Sequence, residues 1–178
     1  MPRSIARCPV ALALICILFA VPVAADDHAI ETPIFRLELP RGWKGGGQGT
    51  PLRLRGPNSE VMLVTIATPD AAGVDARVAK SQPFVGFWRE GIRKALVGGV
   101  LEKPGMKTVE PFTERKLQAL PFFKARAQDE VRGIFLSGYG LIGRGGAVFL
   151  VTVEGRLKDK AGAEAAAERM LKGIVWKQ

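Results

Sequence analysis

Apolar and polar positions alternate along several short segments, and this pattern predicts strands. Residues 34–39 and 52–55 alternate between apolar and charged side chains, as a strand with one buried face does. Residues 61–67 are apolar on both faces, which predicts a central strand of a sheet. Turns are expected at residues 40–43 and 56–59, where Pro and Gly occur together.

The second half of the chain predicts an antiparallel meander. Strands are expected at residues 112–117, 122–131, 134–142 and 147–153. The last two apolar runs are joined by Gly143-Arg144-Gly145-Gly146, which is the strongest hairpin signal in the chain.

Two segments have helical periodicity, residues 83–97 and 158–173. The first carries an apolar stripe made of Phe84, Phe87, Trp88, Gly91, Ile92, Ala95 and Leu96. This stripe is either a surface for a partner or membrane, or a face that packs on the sheet. We favour packing, because an α+β domain must cover its sheet face. In the second helix, Glu164 and Glu168 are expected to form an exposed i, i+4 pair.

Residues 1–25 predict a cleavable signal peptide. Two arginines precede an apolar run, and Val23 and Ala25 are small residues at the expected cleavage positions. An uncleaved anchor and a lipoprotein are the alternatives. The apolar run is short for a span, and Ile15 before Cys16 does not suit lipoprotein processing. After cleavage we expect no transmembrane span and a periplasmic or secreted protein.

The leader also contains Cys8 and Cys16, which are the two cysteines of the chain. The expected mature chain therefore excludes disulfides, thiolate metal sites and cysteine nucleophiles. Its length suits a flexible tail at residues 26–33 and a single α+β domain at residues 34–178. The leader holds two of the 26 basic residues and none of the 17 acidic ones, so the remainder has a net charge of +7. This excess favours anionic partners, and the expected compartment argues against nucleic acid.

Four segments carry a resemblance to a known superfamily: FRLELPRGW (residues 35–43), KLQALPFFKARAQDEV (116–131), AVFLVTVEG (147–155) and AAAERMLKGIVWK (165–177). In this order the chain resembles the PsbP-like superfamily, whose fold is shared by the photosystem protein PsbP, a Ran-binding nuclear import factor and the bacterial DcrB-like envelope proteins. The resemblance spans nearly all of residues 34–177. It implies an antiparallel β-sheet flanked by helices, a PsbP-like α/β/α sandwich, and a binding or accessory role rather than catalysis.

The residue types and their spacing do not match a known set of catalytic residues. His28 is the single histidine and belongs to the expected tail, so a Ser/His/Asp triad is disfavoured. Asp129 and Glu130 are adjacent and would point to opposite faces of a strand. The glycine-rich segments 45–49 and 143–146 lack the residues and context of phosphate-binding loops. We therefore expect no enzyme and no bound cofactor apart from one candidate metal site.

That metal site would form at the new N-terminus. Cleavage after Ala25 would leave a chain that begins Asp26-Asp27-His28. The α-amine, two backbone amides and the imidazole of His28 can bind Cu(II) or Ni(II) in a square plane. A frayed tail that contains a histidine by chance is the alternative.

A cationic patch is the second candidate site. Arg53 and Arg55 share one face of a predicted strand, and Lys124 and Arg126 share one face of another. If these strands are neighbours, the four side chains would form a patch for phosphate or carboxylate groups. Otherwise they are solvated charges.

The sequence as a whole predicts a non-enzymatic, exported envelope protein that binds a protein partner or an anionic lipid or polysaccharide of the envelope. A carrier of metal (Cu or Ni) or of a small ligand is the alternative. A hydrolase of envelope polymers is a third class, which a lone tail histidine disfavours.

Overall fold

Strands account for more of the described chain than helices do. The computed structural model describes residues 25–26, 29–45, 51–68 and 81–177. The strands are β1 Ala25–Asp26, β2 Ala29–Glu31, β3 Phe35–Glu38, β4 Lys44–Gly45, β5 Leu52–Arg55, β6 Val61–Ala67, β7 Lys107–Leu117, β8 Leu120–Asp129, β9 Ile134–Ile142, β10 Val148–Arg156 and β11 Val175–Trp176. The helices are α1 Gln82–Leu96, which continues into a π-helical turn at Val97–Leu101, and α2 Lys160–Lys172.

The strands form one large and one small antiparallel sheet. The large sheet has the order β4-β5-β6-β10-β9-β8-β7, and the small sheet has the order β1-β2-β3-β11. Strands β7 to β10 are the predicted meander, and β5, β6 and β9 have the predicted bounds. The predicted fold class, an antiparallel sheet flanked by helices, is confirmed.

The two faces of the large sheet are covered by different elements. On one face, here called the α2 face, α2 and the small sheet pack over residues such as Leu54, Met62 and Phe149. Burial of these apolar side chains supplies the main stabilisation of the domain. No helix within the described ranges is long and apolar enough to cross a membrane.

The opposite face, here called the α1 face, is covered by α1 over β8 and β9. Ile92 and Leu96 are buried there, so the expected packing of the α1 stripe is confirmed for these residues. Phe87 is 67% exposed and lies outside this contact. A stripe of seven residues winds partly around the helix, so some of its side chains do not face the sheet. Phe87 is one of these side chains.

Glycines on β9 allow α1 to lie close to the sheet. A Cβ atom on Gly138 would lie 2.5 Å from Leu96 Cδ2, and one on Gly140 would lie 2.4 Å from Ile92 Cγ2. These separations are far below van der Waals contact. The missing side chains therefore set the distance between α1 and β9.

Candidate anion-binding site

The structure does not bring the four residues of the predicted cationic patch together. Strands β5 and β8 are separated by β6, β10 and β9. Arg53 and Arg55 alternate with Leu52 and Leu54, which are buried in the core beneath α2. The two arginines therefore point to the α1 face, because successive side chains of a strand point to opposite faces. The predicted single patch required these two strands to be neighbours, and they are not.

Lys124 and Arg126 lie on the α2 face, where α2 covers them. Lys124 Nζ lies 2.6 Å from Glu168 Oε1. Arg126 Nη1 donates a hydrogen bond to Glu164 Oε2 over 2.9 Å. Both cations are thus neutralised by carboxylates of the helix that packs on them.

The carboxylates of α2 are consequently not an exposed pair. Glu164 is 9% exposed, and its Oε1 also accepts a hydrogen bond from Ser137 Oγ over 2.5 Å. The prediction of exposure for Glu164 and Glu168 was wrong, because it did not include the basic side chains of β8 beneath the helix. Buried carboxylates persist where cations and hydroxyl groups satisfy them.

Arg126 holds a second carboxylate, Glu110 on β7, through Nε at 2.6 Å. Burial alone would lower the pKa of Arg126, but the charges of Glu164 and Glu110 more than compensate and raise it above its ordinary value. The guanidinium therefore stays charged, and each of its three nitrogens already contacts a carboxylate. This cluster holds the fold together and is not available to a ligand.

A depression opens on the α1 face beyond the part that α1 covers. It has a volume of about 370 Å³ and lies over strands β5, β6, β9 and β10. Its lining residues are Arg53, Asn58, Ser59, Val61, Leu63, Ile134, Glu154, Gly155 and Arg156. Of the predicted patch, Arg53 belongs to this site and Arg55 lies beside it on the same strand.

The rim of the depression is formed by the turn between β5 and β6. Glu60 is 3% exposed, and its carboxylate accepts hydrogen bonds from the backbone N of Asn58 at 2.8 Å and from Asn58 Nδ2 at 3.2 Å. A Cβ atom on Gly56 would lie 2.4 Å from Glu60 Oε2, so the carboxylate needs a glycine at that position. A buried charge therefore fixes the turn and places Asn58 and Ser59 at the rim.

Two arginines give the depression its charge. Within the described residues Arg53 forms no ion pair, and Arg156 Nε lies 3.9 Å from Asp159 Oδ2, which is a long contact. Glu154 is the one carboxylate among the described lining residues, and Lys103 Nζ neutralises it at 3.0 Å. The site can therefore attract an oxyanion, since guanidinium groups bind phosphate and carboxylate oxygens through paired N–H donors.

Arg156 was not among the residues predicted from the sequence. The predicted strand ended at Val153, whereas β10 continues to Arg156. The continued alternation of Thr152, Glu154 and Arg156 is a signal that could have located it, because these three residues share a face of the strand.

The predicted N-terminal metal site stays a prediction. Asp27 and His28 lie outside the described residues, and of Asp26 only the backbone is described, in β1. Elsewhere in the described ranges no group of three or more His, Cys, Asp or Glu residues could hold a metal ion. That finding does not bear on a site built from backbone amides.

Comparisons with known proteins bear on the fold. No protein-family model and no curated protein matches the sequence. LpqN of Mycobacterium tuberculosis, described as involved in cell envelope biogenesis, aligns over 87% of this chain and 88% of its own, with 13% identity and a TM-score of 0.52. Cyanobacterial PsbP (CyanoP) of Synechocystis sp. PCC 6803 aligns over 86% and 95%, with 10% identity and a TM-score of 0.48.

The chain shares its fold with LpqN, and at 13% identity the likeness extends to the fold alone. The long antiparallel meander with a helix on each face agrees with the antiparallel β-sheet flanked by helices that the sequence resemblance implied.

Proposed function

We propose that the protein is an exported, non-enzymatic binding protein of the bacterial envelope that holds an anionic envelope component on the α1 face of its sheet. The observation that carries the proposal is the exposed pair Arg53 and Arg55 beside the depression. Since neither arginine forms an ion pair within the described residues, both can interact with an anionic surface.

Export is supported by the sequence of the leader and by the charge of the remainder. The tripartite pattern of residues 1–25 directs secretion. LpqN, which has the same fold, is described as involved in cell envelope biogenesis. An envelope location also supplies the anionic lipids and polymers that a basic protein attracts.

A binding role suits the chemistry of the depression better than catalysis does. Its described polar groups are guanidinium, amide and hydroxyl groups, together with one carboxylate that a lysine neutralises. A general base needs an acceptor group that is free to take up the proton, and the carboxylate of Glu154 is paired with Lys103. The residues bind and orient an anion.

Sedimentation with lipid vesicles tests the proposal. The protein is purified from the envelope of an exporting bacterium and mixed with vesicles of phosphatidylglycerol and phosphatidylcholine, or of phosphatidylcholine alone. We expect salt-sensitive binding to the anionic vesicles only. The Arg53→Glu/Arg55→Glu variant should weaken it at least tenfold.

A matched control separates a site from general charge. The Arg36→Glu/Arg144→Glu variant changes the net charge equally, at two exposed arginines away from the depression. It should bind within about twofold of the wild type. Equal weakening in both variants, or no weakening in the first, would show that the arginines of β5 are not the contact surface.

A further inference from the structure

We infer that the depression on the α1 face is a site for one phosphate group, held between Arg53 of β5 and Arg156 of β10. This inference rests on the proposed function and narrows it from an anionic surface to a defined ligand group. Four features of the site carry it: the placement of the arginines, the fixed rim, the neutralised carboxylate and the apolar floor.

The register of the sheet places the two arginines on opposite sides of the depression. Arg53 pairs with Leu63 of β6, and Leu63 pairs in turn with Thr152 of β10. Arg156 lies further along β10 on the same face and pairs with Ile134 of β9. Strand β6 therefore lies between the two strands that carry the arginines, and both arginines line the depression.

The rim is fixed before any ligand arrives. The buried carboxylate of Glu60 holds both the backbone N and the side-chain amide of Asn58. Ser59 is kept at a φ of 71°, an uncommon conformation for a residue other than glycine. A preformed rim lowers the conformational entropy that binding would otherwise cost.

The charge inside the depression favours an anion. The carboxylate of Glu154 would repel a phosphate, but the ammonium group of Lys103 lies 3.0 Å from it and offsets this repulsion. Arg156 is 60% exposed and its Nε lies 3.9 Å from Asp159 Oδ2, beyond hydrogen-bond distance, so its N–H donors are not used by that carboxylate. Two guanidinium groups supply forked N–H donors that match phosphate oxygens.

The size and floor of the depression indicate what the phosphate is attached to. A volume of about 370 Å³ lies at the lower end of the range for ligand pockets. Val61, Leu63 and Ile134 provide apolar contact next to the arginines. A phosphate joined to a small organic group fits this space, and such a group occurs both in free phosphate esters and in the headgroups of phospholipids.

Titration with small probes tests the inference. Isothermal titration calorimetry of the exported protein uses glycerol 3-phosphate, inorganic phosphate and, as the uncharged probe, glycerol. We expect saturable one-to-one binding of the two phosphates and none of glycerol. Arg53→Gln and Arg156→Gln should each weaken phosphate binding at least tenfold.

Arg144→Gln is the matched control, because Arg144 is exposed, lies in the turn between β9 and β10 and does not line the depression. It should bind within about twofold of the wild type. All three arginines are exposed, and an unchanged melting temperature will show that each variant is folded. Equal weakening by Arg144→Gln, or no saturable phosphate binding, would overturn the inference.

Vesicles distinguish the two sources of the phosphate. If glycerol 3-phosphate competes with binding to vesicles that contain phosphatidic acid, the site takes the headgroup; if it binds but does not compete, the site takes free phosphate esters. Binding to anionic vesicles could instead depend on Arg55 and be unaffected by Arg156→Gln and by free phosphate. That result would leave the proposed function standing and remove this site.

Discussion

Arg126 on β8 donates a hydrogen bond of 2.9 Å from Nη1 to Glu164 Oε2 on α2, and this pair joins the helix to the sheet. Both groups are mostly buried, with side-chain exposures of 27% and 12%. Glu110 and Ser137 satisfy the remaining donors and acceptors of the pair. A buried pair of this kind specifies how the helix is placed, although it adds less to stability than its Coulomb energy suggests.

Removal of one partner is therefore expected to be costly. Glu164→Ala should lower the free energy of unfolding by about 2–3 kcal/mol, below the usual cost of breaking a fully buried pair, because Arg126 keeps Glu110 and part of its hydration. Urea unfolding followed by circular dichroism measures the change. Glu90→Ala is the control, since the exposed pair of Glu90 with Arg93 should contribute little to stability. Equal costs for the two variants would contradict the role of the buried pair.

The same pair shows where sequence reasoning stops. The 3.6-residue period located α2, and the alternation of Lys124 and Arg126 located a face of β8. Periodicity does not say which strand lies beneath a helix, so the basic side chains of β8 were predicted to belong to an anion-binding patch and the acidic ones of α2 to form an exposed pair. Their attraction depends on tertiary contacts between residues 38 or more positions apart.

The candidate site was predictable in part for a similar reason. The face of Arg53 and Arg55 followed from alternation with two leucines. The strand that lies next to their hairpin could not be predicted in the same way, because β6 pairs with β10, which comes after α1 and the first three strands of the meander in the chain. Local pattern gives the face of a strand, whereas long-range pairing decides which residues meet on that face.

Gly140 provides a test of how closely α1 packs. Gly140→Ala would place a Cβ atom 2.4 Å from Ile92 Cγ2 in a buried contact. Overpacking of this kind costs about 1–3 kcal/mol, because neighbouring side chains must leave their rotamers or the helix must move. Thermal unfolding should show a lower melting temperature.

The control for Gly140 is a glycine of α1 itself. A Cβ atom on Gly86 would meet nothing within 4 Å. Gly86→Ala should therefore stabilise the protein by about 0.5–1 kcal/mol through helix propensity. A stabilised Gly140→Ala variant would show that β9 and α1 can separate without cost, contrary to the packing seen here.

Copper titration tests the predicted N-terminal site. Mass spectrometry of the exported protein should give a chain that begins at Asp26, and Cu(II) should then bind with the visible absorption of a four-nitrogen square plane. His28→Ala should abolish this band. A first residue other than Asp26 would remove the site, since the imidazole would no longer be in the third position. Copper spectra that do not change in the His28→Ala variant would also contradict the predicted site.

Tyr139 is the single tyrosine of the chain and is completely buried on the α2 face. Burial raises the pKa of its hydroxyl well above the ordinary value, and the nearby charge of Glu164 raises it further. Lys124 Nζ lies 5.4 Å from the centre of its ring, and Arg126 is the cation that opposes the shift. Because no other residue contributes, the phenolate absorbance of the protein reports Tyr139 alone.

This shift predicts a loss of stability in alkali. Below pH about 10, Tyr139 is protonated in both the folded and the unfolded chain, so its contribution to stability is fully present. Above that pH the unfolded chain loses the proton while the folded one keeps it, and the free energy of unfolding falls by up to about 1.4 kcal/mol per pH unit. Phenolate absorbance should therefore appear only as the far-ultraviolet circular dichroism is lost. Tyr139→Phe, which retains the lysines that titrate in the same range, should show a shallower decline above pH 10. A phenolate that forms with an ordinary midpoint while the circular dichroism stays native would contradict the burial of this hydroxyl.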